Sequence, residues 1–353
     1  MKPYYAVKCN PEPWLIEWLG KSEKPVGFDC ASAREITTVK DTVFAPDIIY
    51  ANPCKKREDI LHAMDSSVET TVIDSYEEVD KLDSWKGSVL VRIRVEDSGS
   101  KIRFGQKFGA DIYDAKDLIA YAKSKGLETS GISFHVGSGC ENPQQFYDAI
   151  LLANSVCPQG KTPLIDIGGG FTSKGFEAAA EQIRRSRGYI QYKIKLIAEP
   201  GRFFAASSHD LFVKVIGKKP NPSGGFRYTI DESLYGQFSC IPYDQARPRW
   251  IRIRGPDESP RKSVQCILYG RTCDSVDMIA KGYAEELEEG DWLWFPYMGA
   301  YTTVTSTEFN GFPKPLSLVL DANAEEVLPD PSFVSKCAWP THLEYVNPVK
   351  VPF

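Results

Sequence analysis

The 353-residue sequence lacks the features that mark several large classes of protein. Its nine cysteines include no CxxC pair and its histidines number only four, so neither a metal site nor a disulfide framework is indicated. A net charge of −5 gives no indication of a nucleic-acid partner. No apolar run approaches the length of a membrane span and no signal peptide is recognisable, so we expect no membrane association and a cytoplasmic location.

The sequence does contain a series of strand-like apolar runs, separated by segments long enough for a helix. The runs are YYAVK (4–8), VGFDC (26–30), IIYAN (48–52), TTVID (70–74), SVLVRIR (88–94), GISFHV (131–136), LIDIGG (164–169) and KLIAE (195–199). Intervening segments such as SAREITTVK and DAKDLIAYAKSKG have the apolar spacing of amphipathic helices. Alternating β/α units with strands apolar on both faces predict a closed parallel (β/α)₈ barrel, of the TIM-barrel type. A doubly wound open sheet is the alternative.

The pattern changes beyond Arg202, where short strand-like runs replace the alternation of strands and helices. LFVKVIGKK, FRYTI, SVQCILYG and DWLWFPYM are divided by Gly, Pro and Asp turn signals and show little helical periodicity. We therefore expect two domains, an α/β barrel over residues 1–204 and a C-terminal, mostly antiparallel β domain over residues 205–353.

Polar residues and glycines stand where the predicted barrel strands end. They are Lys8, Asp29, Asn52, Asp74, Arg92, His135, the run Gly168 to Gly170, and Glu199. Each has a structural explanation by itself, for example a helix cap for Asp29 or a core histidine for His135. Barrel enzymes, however, build their active sites at the carboxyl ends of the strands. Their joint occurrence therefore predicts a functional site at one rim.

The chemistry of this rim suggests pyridoxal phosphate. Three glycines follow the seventh strand, where a barrel presents backbone N–H groups to a phosphate, and Arg202 in AEPGR could add a bidentate contact. The cofactor's aldehyde needs a lysine, for which Lys8 is suited. Glu199 could hold the pyridine nitrogen protonated, which makes the ring a strong electron sink and favours a full carbanion reaction.

Short segments along nearly the whole chain carry a family resemblance. They are YYAVKCNP, FDCAS, YANPCK, SFHVGSGC, DIGGGF, AEPGRFF, YGQFSCIPYD, GRTCDS, GAYTTV and FNGF. As a set they resemble the signature segments of eukaryotic-type ornithine decarboxylases, in the alanine-racemase-fold group of pyridoxal-phosphate decarboxylases. The helix and strand that the family has before its first barrel strand are not recognisable here.

The resemblance implies a role for each residue of the cofactor site. Lys8 would be the Schiff-base lysine, Glu199 the partner of the ring nitrogen and His135 an imidazole stacked on the ring. Asp29 matches an acidic position near the lysine, and Arg92 a position near the ring's phenolic side. The implied phosphate-binding residues are Ser138, Gly168, Gly169, Gly170, Arg202 and Tyr301.

The resemblance also implies a substrate site. Tyr235, Tyr243 and Phe309 would line the pocket, and Asp244 would hold the distal amine of the substrate. Cys273 and Asp274 match a pair donated across a homodimer interface. Cys273 would protonate Cα after decarboxylation, and Asp274 would help Asp244 to bind the amine.

The implied activity is decarboxylation of a basic amino acid, with L-ornithine to putrescine as the first choice, in polyamine biosynthesis or a specialised amine pathway. Arginine or lysine decarboxylation on the same scaffold stays open. Asp244 speaks against diaminopimelate, which ends in a carboxylate, and Glu199 against a racemase, which needs a weaker electron sink. A non-catalytic homologue that binds a regulatory protein is the alternative of another class.

Overall fold

The structure is a computed structural model that describes residues 1–24, 26–158, 163–190, 192–255 and 258–319. The chain divides into two compact units, Met1–Ala205 and Ala206–Phe353. Within the described ranges, no helix is both long and apolar enough to cross a membrane.

The first unit is built on a closed barrel of eight parallel strands. These strands are β1 (Lys2–Ala6), β2 (Gly27–Cys30), β3 (Ile48–Tyr50), β4 (Thr70–Ile73), β5 (Ser88–Arg92), β7 (Glu128–Ser133), β9 (Leu164–Asp166) and β10 (Lys195–Ala198). The barrel closes where β1 pairs with β10, through Lys2 opposite Ile197 and Pro3 opposite Ala198. The predicted barrel is confirmed, each predicted run overlaps one barrel strand, and the open sheet is wrong.

Helices connect the barrel strands. They are α1 (Pro13–Gly20), α2 (Ala33–Thr42), α3 (Arg57–Asp65), α4 (Tyr76–Val79), α5 (Ile112–Ser124), α6 (Gln144–Val156), α7 (Phe176–Arg187) and α8 (Arg202–Ala205). Helix α2 shows why they form: the Ser32 hydroxyl accepts a hydrogen bond from Glu35 N at the helix start, and Ile36 and Val39 bury one face. Two short antiparallel strands, β6 (Ser100–Ile102) and β8 (Ser138–Cys140), lie outside the barrel sheet.

The inside of the barrel is an apolar layer with charged side chains next to it. The layer comprises Tyr4, Ile49, Val72, Leu90 and Ile197, with Ala51 and Leu164 packed against it. Side chains two residues apart in a strand point to the same face. Arg92, Asp166 and Glu199 each follow a layer residue by two positions, so they point into the barrel toward the carboxyl ends of the strands.

The second unit contains a six-stranded, mostly antiparallel sheet, as predicted. Its strands are β11 (Leu211–Pro220), β12 (Phe226–Ile230), β13 (Ile251–Arg252), β14 (Ser263–Tyr269), β15 (Met278–Glu285) and β16 (Trp292–Phe295), in the order β13-β16-β11-β12-β14-β15. Strands β12 and β14 pair in parallel. Leu211, Val213 and Val215 alternate with exposed residues and pack into the apolar core of this unit. A short helix, α9 (Cys240–Asp244), follows β12.

A buried ion pair stabilises the segment between β3 and α3. Lys55 Nζ lies 2.7 Å from Glu78 Oε1, and the two side chains are 0% and 2% exposed. The same amine donates to the carbonyl oxygens of Asn52 (2.9 Å) and Val72 (2.8 Å). Burial lowers the pKa of Lys55, while the charge of Glu78 opposes this shift. Glu78 also pairs with Lys81, so the dependence is one-sided: the buried charge of Lys55 depends on Glu78.

We expect Glu78→Ala to lower the free energy of unfolding by about 3–5 kcal/mol, because it leaves the Lys55 ammonium buried without a counter-charge. Urea denaturation measured by circular dichroism checks this value. Glu17→Ala is the matched control, since it removes the exposed ion pair with Lys21 and should cost less than about 1 kcal/mol. Equal effects of the two substitutions would contradict the prediction.

Candidate active site

Lys8 lies at the carboxyl end of β1 and contacts a buried carboxylate. It occupies a 3₁₀ turn, Val7–Cys9, directly after the strand. Its Nζ lies 2.5 Å from Asp29 Oδ2, with the Lys8 side chain 41% exposed and that of Asp29 1% exposed. Glu35 accepts a hydrogen bond from Ala31 N (2.7 Å) just beyond Asp29, and burial raises its pKa. The amine is thus oriented by Asp29 and still accessible.

Glu199 and Asp166 form a buried pair of carboxyl groups at the ends of β10 and β9. Their side chains lie within hydrogen-bonding reach of each other. Burial, followed by the charges of Asp166 and Asp29, raises the pKa of Glu199 well above its usual range. Burial also raises the pKa of Asp166. Within the described residues, Glu199 Oε1 and Asp166 Oδ2 accept no hydrogen bond from an N–H or O–H donor.

His135 and Arg92 complete the polar face of the barrel rim. Desolvation, together with the charges of Arg92 and Lys8, lowers the pKa of His135 well below its usual range, so the imidazole is neutral at pH 7. His135 Nδ1 accepts a hydrogen bond from Gly137 N (3.0 Å), which leaves the proton on Nε2. Phe104 packs edge-on against the imidazole, with ring centroids 4.8 Å apart.

The glycines after β9 form a backbone cradle beside these side chains. Gly168 and Gly170 have φ values of +61° and +95°, which residues other than glycine rarely adopt. A Cβ on Gly169 would lie 2.8 Å from the carbonyl oxygen of Glu199 and 3.0 Å from His135 Nε2. Arg202 Nη2 donates to Ser138 Oγ (3.4 Å). The donors predicted for a phosphate therefore include a paired arginine and serine.

The second unit brings together four of the residues predicted for substrate binding and protonation. Tyr235 Oη donates to Asp274 Oδ2 (2.5 Å), which lowers the pKa of Asp274. The ring of Tyr235 stacks on Phe309, with centroids 4.3 Å apart. Cys273 is exposed and precedes Asp274 in the same loop, and its N–H donates to Asn310 Oδ1 (2.9 Å).

The remaining predicted residues of this unit lie on α9 and on the segment after β16. Asp244 is the last residue of α9 and is buried, whereas Tyr243 is 72% exposed. Tyr301 adopts a φ of +55°, and its carbonyl oxygen accepts a hydrogen bond from Thr305 Oγ1 (2.8 Å). The Thr305 hydroxyl also contacts Ser239 Oγ (2.8 Å), so the segment of Tyr301 is tied to the start of α9.

The strand ends of this barrel present a lysine, a glycine cradle and a buried glutamate. These features define the class of barrel enzymes that bind a phosphorylated cofactor at the carboxyl edge. Comparison with known families specifies this class. Residues 1–206 match the family described as "Pyridoxal-dependent decarboxylase, pyridoxal binding domain". The chain therefore belongs to the pyridoxal-dependent decarboxylases, as the resemblance in its sequence predicted.

Individual relatives agree with this assignment. The chain is 37% identical to "Probable ornithine decarboxylase" of Dictyostelium discoideum, over 93% of this chain and 76% of that protein. It is also 37% identical to "Antizyme inhibitor 2" of Xenopus laevis, over 88% of this chain and 74% of that protein. Among solved structures, the arginine decarboxylase of Paramecium bursaria Chlorella virus superposes with a TM-score of 0.82 at 37% identity, covering 89% of this chain and 88% of the other.

The residues at the rim fit pyridoxal phosphate. Glu199 Oε1 is a buried acceptor without an N–H or O–H donor among the described residues, which suits the N–H of a protonated ring. In the glycine cradle, a Cβ on Gly168 or Gly170 would lie 2.5 or 2.6 Å from a backbone oxygen, so these positions accept only a residue without a side chain, as a cradle of backbone N–H groups requires. Lys8 supplies an accessible amine at the same edge.

Sequence reasoning missed two residues of these clusters. Asp166 stands inside the run LIDIGG, and its charge in an otherwise apolar strand was a usable signal, since Leu164 two positions earlier faces the barrel interior. Asn310 lies in FNGF, where an Asn-Gly pair signals a turn but does not reveal that the side chain reaches Cys273 N.

We expect Asn310→Gly to accelerate hydrogen–deuterium exchange at the Cys273 amide by up to about tenfold, because it removes one hydrogen bond worth about 0.5–1.5 kcal/mol. Glycine accepts the φ of +58° found at Asn310, so the turn itself is retained. Asn310→Asp keeps the acceptor oxygen and is the matched control, with exchange no faster than in the native chain. Mass spectrometry of the peptide spanning the Cys273 loop measures both rates, and equal rates in both variants would refute the assignment.

Proposed function

We propose that this chain catalyses the decarboxylation of L-ornithine to putrescine and CO₂, with pyridoxal phosphate held at the carboxyl edge of the barrel. The observation that carries the proposal is the buried Glu199 carboxyl group, whose Oε1 accepts no hydrogen bond from an N–H or O–H donor of the described residues and lies at the same barrel rim as the accessible Lys8 amine. This combination suits a cofactor with an aldehyde at one end and a basic ring nitrogen at the other.

The family resemblance, together with the geometry of the rim for the residues of the first unit, supports the proposed cofactor contacts. Lys8 would attach the aldehyde, with Asp29 orienting the amine. Glu199 would bind the ring nitrogen, and His135 would lie against the ring. Pyridoxal phosphate, when bound, supplies an electron sink for the electrons released as the α-carboxylate leaves. Arg92, Ser138, Tyr301, the cradle from Gly168 to Gly170 and Arg202 would complete the cofactor site.

The protein contributes orientation, charge and exclusion of water. The neutral His135 adds no positive charge beside the protonated ring. The apolar layer under the rim keeps water from the barrel interior, which favours the loss of a charged carboxylate as neutral CO₂. Arg92, which faces Glu199, Asp74 and Asp166, offsets part of the negative charge of the buried carboxyl groups.

Substrate recognition is proposed for the acidic and aromatic residues of the second unit. Asp244 and Asp274 are carboxylates suited to a distal ammonium, and Tyr235 holds Asp274 by a hydrogen bond. Tyr243 and Phe309 would contribute pocket walls. Cys273 is an exposed thiol that could deliver the proton to Cα.

Two alternatives to ornithine decarboxylation are another substrate, arginine, and a non-catalytic role. The viral arginine decarboxylase and the Dictyostelium relative have the same 37% identity to this chain, so overall similarity does not choose between arginine and ornithine. A non-catalytic role is suggested by the similarity to "Antizyme inhibitor 2", but it requires no cofactor-binding lysine. The presence of Lys8, Glu199 and Arg202 at one rim supports the enzyme.

The assembly and the cellular setting are part of the same proposal. A homodimer with shared active sites, a cytoplasmic location and a place in polyamine or specialised amine synthesis stay predictions from the sequence. The support for the dimer is the resemblance of the segment GRTCDS to that of the family.

We expect Lys8→Ala and Glu199→Gln to separate cofactor attachment from catalysis. Borohydride reduction followed by peptide mapping should place the adduct on Lys8 and not on the buried Lys55, and Lys8→Ala should give none. Glu199→Gln should keep the adduct but lose about 3 kcal/mol or more of transition-state stabilisation, a fall in kcat/KM of more than about 100-fold. An adduct on another lysine would overturn the cofactor site. A fall in kcat/KM of less than about threefold would overturn the electron-sink role of Glu199.

We expect Asp244→Ala to raise KM for ornithine by about 10- to 150-fold, which corresponds to a charge-assisted hydrogen bond of roughly 1.5–3 kcal/mol. Cofactor affinity, measured by absorbance, should stay unchanged and serves as the internal control. Initial rates with ornithine, arginine and lysine on the native chain decide the substrate. A higher kcat/KM for arginine would disprove the choice of ornithine while leaving the chemistry in place.

We expect the active site to be composite, with Cys273 serving the partner's barrel. Lys8→Ala and Cys273→Ala homodimers should each be nearly inactive. After mixing and subunit exchange, about half of the dimers are hybrids with one intact site each, so activity should recover to roughly a quarter of the native value. Sedimentation establishes the dimer first. If mixing restores no activity, Cys273 acts within its own chain.

A further inference from the structure

Asp166 is a buried carboxyl group for which the proposed function has no role. It is the last residue of β9 and lies opposite Ile197 of β10, two residues before Glu199. Its Oδ1 accepts a hydrogen bond from Gly168 N (2.9 Å), and the Gly168 carbonyl oxygen accepts one from Glu199 N (2.7 Å). These backbone links hold the two carboxyl groups side by side. Asp166 is 0% exposed and Glu199 is 8% exposed.

Two adjacent buried carboxyl groups cannot both be ionised cheaply. The cations that face them are Lys8 and Arg92, but Lys8 is paired with Asp29, and Arg92 also faces Asp74. Tyr4, on the neighbouring strand β1, adds no positive charge near Asp166, and the neutral His135 adds none at the rim. If Asp166 and Glu199 were both ionised, their two negative charges would therefore lack counter-charges. The oxygens Asp166 Oδ2 and Glu199 Oε1, which have no N–H or O–H donor among the described residues, fit a proton shared between the two groups.

We propose that Asp166 and Glu199 hold one proton between them in the cofactor-free protein, and that Glu199 passes this proton to the ring nitrogen of pyridoxal phosphate when the cofactor binds. The O–H bond of Glu199 breaks and the N–H bond of the ring forms, so this step takes no proton from solvent. Both carboxyl groups are then ionised, because the pyridinium supplies the missing positive charge. The inference rests on the proposed function, which assigns the ring nitrogen to Glu199.

Asp166 is thereby a positioning residue that keeps Glu199 protonated until the cofactor arrives. The directions of the pKa shifts agree with this role, since burial and the Asp166 charge both raise the pKa of Glu199. Asp166→Asn removes that charge while keeping an oxygen for Gly168 N. The new amide N–H would donate to Glu199 and stabilise its ionised form. In this variant the proton on the ring must come from solution.

Isothermal titration calorimetry of pyridoxal phosphate into the cofactor-free, full-length protein tests the proposal. Titrations at pH 8 in buffers of different ionisation enthalpy give the number of protons taken up per cofactor bound. Asp166→Asn should take up about one proton more than the native chain, and its affinity should fall by about tenfold more per pH unit. Asp111→Asn is the control, since it also removes one carboxylate, here from an exposed ion pair with Arg94, and its proton count should equal the native value.

Equal proton counts for Asp166→Asn and the native chain would overturn the proposal. If Asp166→Asn does not fold, infrared difference spectra of the native chain decide instead. Cofactor binding should remove the carbonyl band of a protonated carboxyl group, and Glu199→Gln should lack this change. Retention of the band in the native chain would also overturn the proposal. Failure of the cofactor to bind, or its attachment away from Lys8, would overturn the proposed function as well, and borohydride mapping distinguishes this outcome because no adduct is then found on Lys8.

Discussion

The barrel's closure, combined with the two-residue alternation of its strands, is the constraint on which the candidate site depends. Eight parallel strands end at one edge, and each strand that places an apolar residue in the interior layer places its next inward side chain at that edge. Leu90 is followed by Arg92, Leu164 by Asp166 and Ile197 by Glu199. Arg92, Asp166 and Glu199, which are 33 to 107 positions apart in the chain, therefore converge without any direct sequence relation.

Burial makes this convergence chemically useful. Water solvates the charged groups of the surface, whereas those of the barrel rim are solvated mainly by one another and by a few backbone N–H groups. The neutral His135 and the protonated carboxyl pair of Glu199 and Asp166 both follow from desolvation. The ion pair of Lys8 and Asp29 remains partly open to solvent, which suits an amine that must exchange partners. The barrel interior thus sets a protonation pattern that none of these side chains has by itself.

In the second unit, most candidate residues lie on loops rather than at strand ends. Asp277 organises one of these loops: it is buried and accepts hydrogen bonds from Leu234 N (2.8 Å), Thr272 N (3.1 Å) and Thr272 Oγ1 (2.6 Å). Tyr235 and Asn310 then hold Asp274 and the backbone of Cys273. A loop fixed by side-chain contacts can present a thiol and a carboxylate together.

The sequence alone determined eight alternating β/α units, since strands apolar on both faces need helices to cover them, but it left an open sheet as the alternative to the closed barrel that the structure shows. It also determined that Lys8, Asp29, Arg92, His135 and Glu199 stand at strand ends, because strand boundaries are local features. The tertiary structure alone decided that Asp166 meets Glu199 and that Asn310 meets Cys273. Both contacts depend on the pairing of distant segments and on the direction of single side chains. The pairing of segments and the directions of side chains are set by packing across the fold, so the local sequence does not reveal them.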